Sequence, residues 1–168
     1  VMEAMWSRFL PVYVRLRQLL AQGNIGVTRL MTADFGIKAS PQTRPRLFDL
    51  ALGGGALLDV GVYAISIASM IFGAPSNVKG ACHIGPTGVD ETCSVVLTHP
   101  RGQLVSITCA ITVATTLEIH IMGTAGRIRI HAPLWKSTLL TLIPETGPAI
   151  DFHLPYSGNG YQLEAVEF

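Results

Sequence analysis

The chain has 168 residues, enough to bury roughly two thirds of its unfolded surface in one domain without metal or disulfide support. Twelve Lys and Arg face eleven Asp and Glu, a net charge of +1 with no run of like charges, which argues against nucleic acid or an anionic membrane as the main partner. Only 14 % of residues are charged and 49 % are hydrophobic, so some apolar surface is expected to be covered by another domain or subunit.

The N-terminal "VMEAMWSRFL" has neither a cationic segment nor a small-residue cleavage site, unlike a signal peptide. From Pro11 to Gln22, Val12, Leu16, Leu19 and Leu20 share one face while Arg15, Arg17 and Gln18 lie elsewhere. That spacing predicts an amphipathic helix, opened by Pro11 and closed by Gly23. "GNIG" follows as a turn, residues 27–38 as a strand, and "ASPQTRPRLFD" as a long surface loop.

"GGGALLDVGVY", residues 53–63, sets three glycines before an apolar run that holds Asp59 and Tyr63 four residues apart. Residues 56–74 read as a helix buried inside a protein; a membrane anchor is the lesser alternative, because Asp59 is costly in lipid and the flanks carry no aromatic or basic anchors. On a helix, Asp59 and Tyr63 share a face and can bond to one group. The glycines permit close backbone approach and free N–H groups for an oxygen-rich ligand. A phenol beside an alcohol or carbonyl suits general acid/base work if a cation lowers its pKa. The plainer alternative is that Asp59 caps the helix and Tyr63 packs at its rim.

After Pro75 come seven β-prone segments, "NVKGACHI", "ETCSVVLTH", "QLVSITCAIT", "TLEIHIMG", "GRIRIHAP", "STLLTLIP" and "AIDFHLP". The gaps between them are short enough for successive strands to pair antiparallel. Apolar and polar residues alternate in "TLEIHIM" and "GRIRIHA", so one sheet face is apolar and needs helices as cover. Early helices followed by a strand meander give an α+β fold with a mostly antiparallel open sheet covered on one face by helices.

Other chemistry is sparse. Cys82, Cys93 and Cys109 stand far apart in sequence without C-x-x-C and read as buried thiols of a reducing, cytoplasmic setting. The five histidines lack metal-ligand spacing, and no metal site is expected. There is no P-loop, G-x-S-x-G or H-E-x-x-H, and no G-x-G-x-x-G, so these residues alone do not form a Rossmann dinucleotide site.

"EAMWSRFLP" at 3–11, "RLFDLALGGGALLDVGVY" at 46–63 and "GNGYQLEAVEF" at 158–168 resemble, in order, the C-terminal domain of the Gfo/Idh/MocA oxidoreductases. The branch they resemble holds the dimeric dihydrodiol dehydrogenases, NADP-dependent xylose dehydrogenases and glucose-fructose oxidoreductase. The resemblance implies a glyceraldehyde-3-phosphate-dehydrogenase-like C-terminal fold over 1–168 for substrate binding and dimerisation. It also implies an upstream Rossmann domain whose last strand ends within residues 1–5, a last helix cut after Phe168, and a fragment inactive alone.

By the same resemblance Tyr63 is the acid/base in oxidation of a sugar or diol hydroxyl by NAD or NADP, and Asp59 orients substrate or phenol. Trp6, Arg8, Phe9, Gly54 and Gly55 contact the substrate, Arg46 and Phe48 on the preceding loop either contact it or lie at the surface, and Glu164 is structural. The lysine that would lower the phenol's pKa, and most of the cofactor site, lie upstream in such proteins. The expected partners are a small-molecule substrate, the Rossmann domain and a second copy through the sheet face. A non-catalytic ligand-binding or scaffold domain of the same fold is the competing reading.

Overall fold

A computed structural model describes residues 4–167. By internal packing the 168 residues divide into two compact units, Val1–Met31 with Glu118–Phe168, and Thr32–Leu117. Strand β1, Thr28–Gly36, belongs to both, passing from the first into the second.

In the first unit, Pro11 opens helix α1 (Pro11–Ala21), where its missing N–H leaves no bond unmade. Gly23 follows in the left-handed region at φ +71°, and its N–H caps the Leu20 carbonyl. Three of the four predicted stripe residues, Val12, Leu16 and Leu19, are buried, while Leu20 is half-buried and the unpredicted Tyr13 turns inward in its place. The Tyr13 hydroxyl donates to the Leu134 carbonyl at 2.7 Å, so this core phenol leaves no polar atom unmatched. The strands here are β5 (Ile119–Gly123), β6 (Gly126–Ile130), β7 (Leu139–Pro144) and β8 (Ile150–His153), an antiparallel meander in chain order beside the start of β1.

Ile119 opposes Ile130, and Ile121 opposes Ile128, all four fully buried. Each contributes roughly 1.5–3 kcal/mol by leaving water. The opposite face is polar. Arg129 donates two hydrogen bonds to the Glu118 carboxylate, from Nε at 2.9 Å and Nη2 at 2.5 Å, and His120 lies 3.3 Å from the same group. His131 Nε2, Thr141 Oγ1 and Asp151 Oδ1 form a chain of hydrogen bonds at 2.7 and 2.6 Å. The Thr141 proton goes to Asp151, so Nε2 of His131 carries the proton that Thr141 accepts. The short helix α3, Tyr161–Glu167, follows.

In the second unit, β2 (Asn77–Ile84), β3 (Asp90–Thr98) and β4 (Leu104–Ala110) form the expected antiparallel hairpins, and the end of β1 lies beside β4. All seven segments predicted after Pro75 are strands. One predicted pairing fails: β4 does not turn back on the next strand, because β1 takes its free edge. The N–H groups of Ile37 and Ala39 bond to the carbonyls of Ala110 and Ile111, and Gly36 and Thr115 exchange bonds. Asp34 then receives Thr116 Oγ1 at 2.5 Å and the Leu117 N–H at 2.7 Å, holding the chain through Leu117 at φ +63°. Burial pushes the Asp34 carboxyl up, but hydrogen bonds from Thr115, Thr116 and Leu117 together hold it below the usual range.

Of residues 1–5, expected to end a preceding strand, the first three lie outside the described residues; Ala4 and Met5 are not in a strand. Phe168, where the last helix was expected to be cut, also lies outside them.

Candidate active site

The loop before the glycines is more ordered than its composition implies. Ser40 and Thr43 bond side chain to backbone, Pro45–Phe48 forms one 3-10 turn and Leu50–Leu52 another, with Asp49 Oδ1 accepting from the Ala51 N–H at 2.9 Å. The second turn closes on Gly53 at φ +66°.

Gly54 packs against the carbonyls of Arg46, Leu47 and Asp49 so closely that a Cβ would lie 2.6–2.8 Å from each. The N–H groups of Gly53, Gly54 and Gly55 bond to the carbonyls of Leu50, Asp49 and Leu47. This corrects the expectation of free donors for an oxygen-rich ligand: the glycines fold the chain back on itself and spend their N–H groups doing so.

A carboxylate already serves the helix that follows. Asp90, at the start of β3, accepts from the Leu57 N–H through Oδ2 at 2.7 Å. Gly55, at φ +119°, passes so near Asp90 Oδ1 that a Cβ would overlap it. The sequence gives no local sign of this cap, because donor and acceptor are 33 residues apart. Asp59 therefore does not cap the helix.

The predicted helix has two parts. Leu57–Gly61 is a π-helical turn, with the Val62 N–H donating to the Leu57 carbonyl five residues back, and α2 (Val62–Phe72) is regular. Val60, Ala64, Ile67 and Ala68 are buried, whereas Leu50, Leu52 and Leu58 are 60–65 % exposed. The run Leu50–Phe72 is long and apolar enough to cross a membrane by length and composition, and with 39 % of its most apolar window buried, the expectation of a helix buried inside the protein holds for one face only. Gly61 lies over β4: a Cβ there would come 2.9 Å from Cys109 Sγ and 3.3 Å from Leu57 Cδ1.

On this helix Arg46 Nη2 donates to Asp59 Oδ1, an ion pair with Arg46 54 % and Asp59 20 % exposed. With the cation half in water the pair contributes little stability, and its effect is to orient the carboxylate. Tyr63, half-buried, packs its ring on Phe35 with centroids 5.6 Å apart at 52°. Among the described residues, neither the Tyr63 hydroxyl nor Asp59 Oδ2 has a hydrogen-bond partner. Phe48, buried, lines a shallow groove of about 620 Å³ with Pro41, Pro45, Asp49, Leu50, Ala51 and Thr87; neither Asp59 nor Tyr63 lines it.

Trp6, Arg8 and Phe9 fall in the other unit, on the 3-10 turn Trp6–Phe9. There Trp6 is buried and meets Tyr161 edge to face at 4.8 Å, and the Arg8 carbonyl accepts from Arg17 at 2.8 Å. Glu164 sits on α3 with Oε1 buried and unpartnered. Among the described residues no group of three or more His, Cys, Asp or Glu is placed to hold a metal.

Residues 13–129 match the model of the GFO/IDH/MocA C-terminal domain. The chain is 40 % identical over 165 residues to mouse trans-1,2-dihydrobenzene-1,2-diol dehydrogenase, covering 97 % of this chain and 48 % of the mouse protein. It is 38 % identical over 157 residues to the human enzyme of the same name, covering 92 % and 46 %. It thus spans about half the length of the curated relatives it matches. Among solved structures, a 3-ketoreductase from Actinomadura kijaniata superposes with a TM-score of 0.85 at 24 % identity, over 99 % of this chain and 53 % of that one. A levoglucosan dehydrogenase does so with a TM-score of 0.84 at 18 % identity, over 99 % and 54 %. These two share the fold. The chain belongs to the Gfo/Idh/MocA oxidoreductase family, to its C-terminal domain.

Proposed function

We propose that this family member supplies the substrate side of an NAD(P)-dependent dehydrogenase that oxidises a CH–OH group of a cyclic diol or sugar. Tyr63 is its general acid/base and Asp59 its substrate-orienting carboxylate. The observation that carries the reading is a pair of unsatisfied oxygens, Tyr63 OH and Asp59 Oδ2, four residues apart on one helix, with Phe35 and Arg46 holding the two side chains. Groups fixed by neighbours but lacking a partner of their own suit a hydroxyl-bearing ligand. Identity to the trans-1,2-dihydrobenzene-1,2-diol dehydrogenases supports the diol, and a sugar is the broader class of cyclic hydroxyl compound the same pair of oxygens would take.

The described residues do not form a dinucleotide cradle, since Gly53, Gly54 and Gly55 spend their N–H groups on carbonyls and Asp90 fills the start of the helix. On this proposal the nucleotide belongs to an upstream Rossmann domain. The nicotinamide supplies the hydride acceptor. Within this chain, Asp59 Oδ2 accepts a hydrogen bond from one substrate hydroxyl and sets the ring's orientation. The Tyr63 oxygen takes the proton of the hydroxyl being oxidised and returns it in reduction. A second copy across the open sheet face completes the proposed assembly; Val96 and Leu104, each 44 % exposed on one face of β3 and β4, support an apolar contact there.

The test is steady-state oxidation of trans-1,2-dihydrobenzene-1,2-diol and of aldoses, with NADP and with NAD, by this chain joined to its upstream domain. Tyr63→Phe lowers kcat by about 100- to 10,000-fold while KM moves little. Asp59→Asn raises KM more than it lowers kcat. Turnover undiminished in Tyr63→Phe removes the acid/base assignment and leaves the non-catalytic binding domain as the better reading.

A further inference from the structure

Cys82, Cys93 and Cys109, dispersed in sequence, form one row across three strands. Cys82 opposes Cys93 in the β2–β3 pairing, and Cys93 opposes Cys109 in β3–β4. Directly opposed residues of antiparallel strands project from the same face, with Cα atoms about 4.5–5.5 Å apart. That lies within the roughly 4.4–6.8 Å that a disulfide spans. The row is graded in access: Cys82 is exposed on the edge strand, Cys93 is 6 % exposed and Cys109 is 1 % exposed. All three are free thiols, and the expectation that all are buried is corrected at Cys82. The cause is that all of β2 lies open, at the sheet edge beyond the helix layer.

The inner end of the row is closed to chemistry. Burial, then the neighbouring Cys93 and the Asp90 carboxylate, push the Cys109 thiol up to about 12, and Gly61 packs against its sulfur. Cys93 is also raised, first by burial and then by Asp90, so it stays a thiol at neutral pH. The outer end has water access and an immediate sulfur neighbour.

We propose that Cys82 and Cys93 form an oxidisable dithiol at the edge of the sheet, a modification site for hydroperoxides. Cys82 takes the first oxidising equivalent, and Cys93 converts it to an intrachain disulfide. In the first step Cys82 sulfur attacks one oxygen of hydrogen peroxide, the O–O bond breaks, and the products are Cys82 sulfenic acid and water. In the second, Cys93 sulfur attacks Cys82 sulfur and the S–O bond breaks. The hydroxide leaves with the Cys93 proton as a second water. Two thiols lose two electrons and one peroxide gains them. The low thiolate content of Cys93 slows this attack, and its enforced proximity offsets that.

The test treats the full-length protein with hydrogen peroxide, alkylates it under denaturing conditions without reductant, and maps tryptic peptides by mass spectrometry. Lys79 and Arg101 place Cys82 and Cys93 in one peptide, residues 80–101, while Cys109 falls in the next, residues 102–127. Peptide 80–101 should be lighter by two hydrogens and closed to alkylation until dithiothreitol is added, with Cys109 alkylated throughout. In Cys82→Ser, Cys93 should remain alkylatable at the same peroxide dose. Three results overturn the proposal: Cys82 oxidised with Cys93 still alkylatable, peptide 80–101 linked to 102–127, or a link between two chains.

Discussion

The contact between Gly55 and Asp90 sets up a double-mutant cycle whose outcome depends on one atom's position. Asp90→Ala removes the acceptor of the Leu57 N–H, a charge-assisted cap at 2.7 Å in a half-buried place, and costs about 1–2 kcal/mol. Gly55→Ala places a side chain at φ +119°, a strain of about 1–3 kcal/mol. Its Cβ also displaces the Asp90 carboxylate, adding the same cap loss for a total of about 2–5 kcal/mol. With Asp90 already truncated, the alanine at 55 meets no carboxylate and only the strain remains. The double variant should therefore be about as unstable as Gly55→Ala alone, a coupling of about 1–2 kcal/mol. Urea unfolding of the four proteins, read as midpoints at constant m-value, measures this. Additivity within about 0.5 kcal/mol would refute the idea that the glycine exists to admit the carboxylate.

Other expectations rest on single contacts. Tyr13→Phe should lose about 1–2 kcal/mol in denaturant titration, because the Leu134 carbonyl is left without its buried donor. The folded chain holds His131 below its ordinary value, through burial first and the Arg129 guanidinium second. The unfolded chain therefore binds that proton first, and stability falls with pH from about 6.5 downward. His131→Gln should flatten that decline in thermal melts between about pH 7 and 5, and an unchanged slope would contradict it. Hydrogen bonding from Arg129 holds Glu118 below the usual carboxylate range, so its contribution is complete above about pH 4.3 and lost as pH drops through the lower folded value. Arg129→Met should remove that part of the acid limb and lower stability at neutral pH.

Residues whose neighbours are near in sequence were legible. The 3.6-residue spacing of Val12, Leu16 and Leu19 gave α1 with both its ends, and the alternation of Ile119, Ile121, Ile128 and Ile130 gave the buried face of β5 and β6. What escaped is set by long-range contact. The insertion of β1 beside β4 is fixed by Ile37 and Ala39 bonding across more than 70 residues, which no window of alternation reports. The same holds for the Asp90 cap and for the alignment of three cysteines into one row. At the site, the i, i+4 spacing correctly placed Asp59 and Tyr63 on one helix, and the adjoining loop brought Arg46 to Asp59. The glycines misled, because a run that permits ligand approach has the same composition as one that folds a turn onto its own carbonyls.

The π-helical turn at Leu57–Gly61 amounts to one surplus residue in an otherwise ordinary helix. Removing that residue, at Val60 or Gly61, would let the turn relax to α geometry while the segments before and after it keep their relative phase, because the bulge already absorbs the extra residue. Asp59 and Tyr63 would then stand at i, i+3 and still share a face. The pair therefore tolerates a change of length at this turn, and the bulge tunes the distance between carboxylate and phenol without creating their common face.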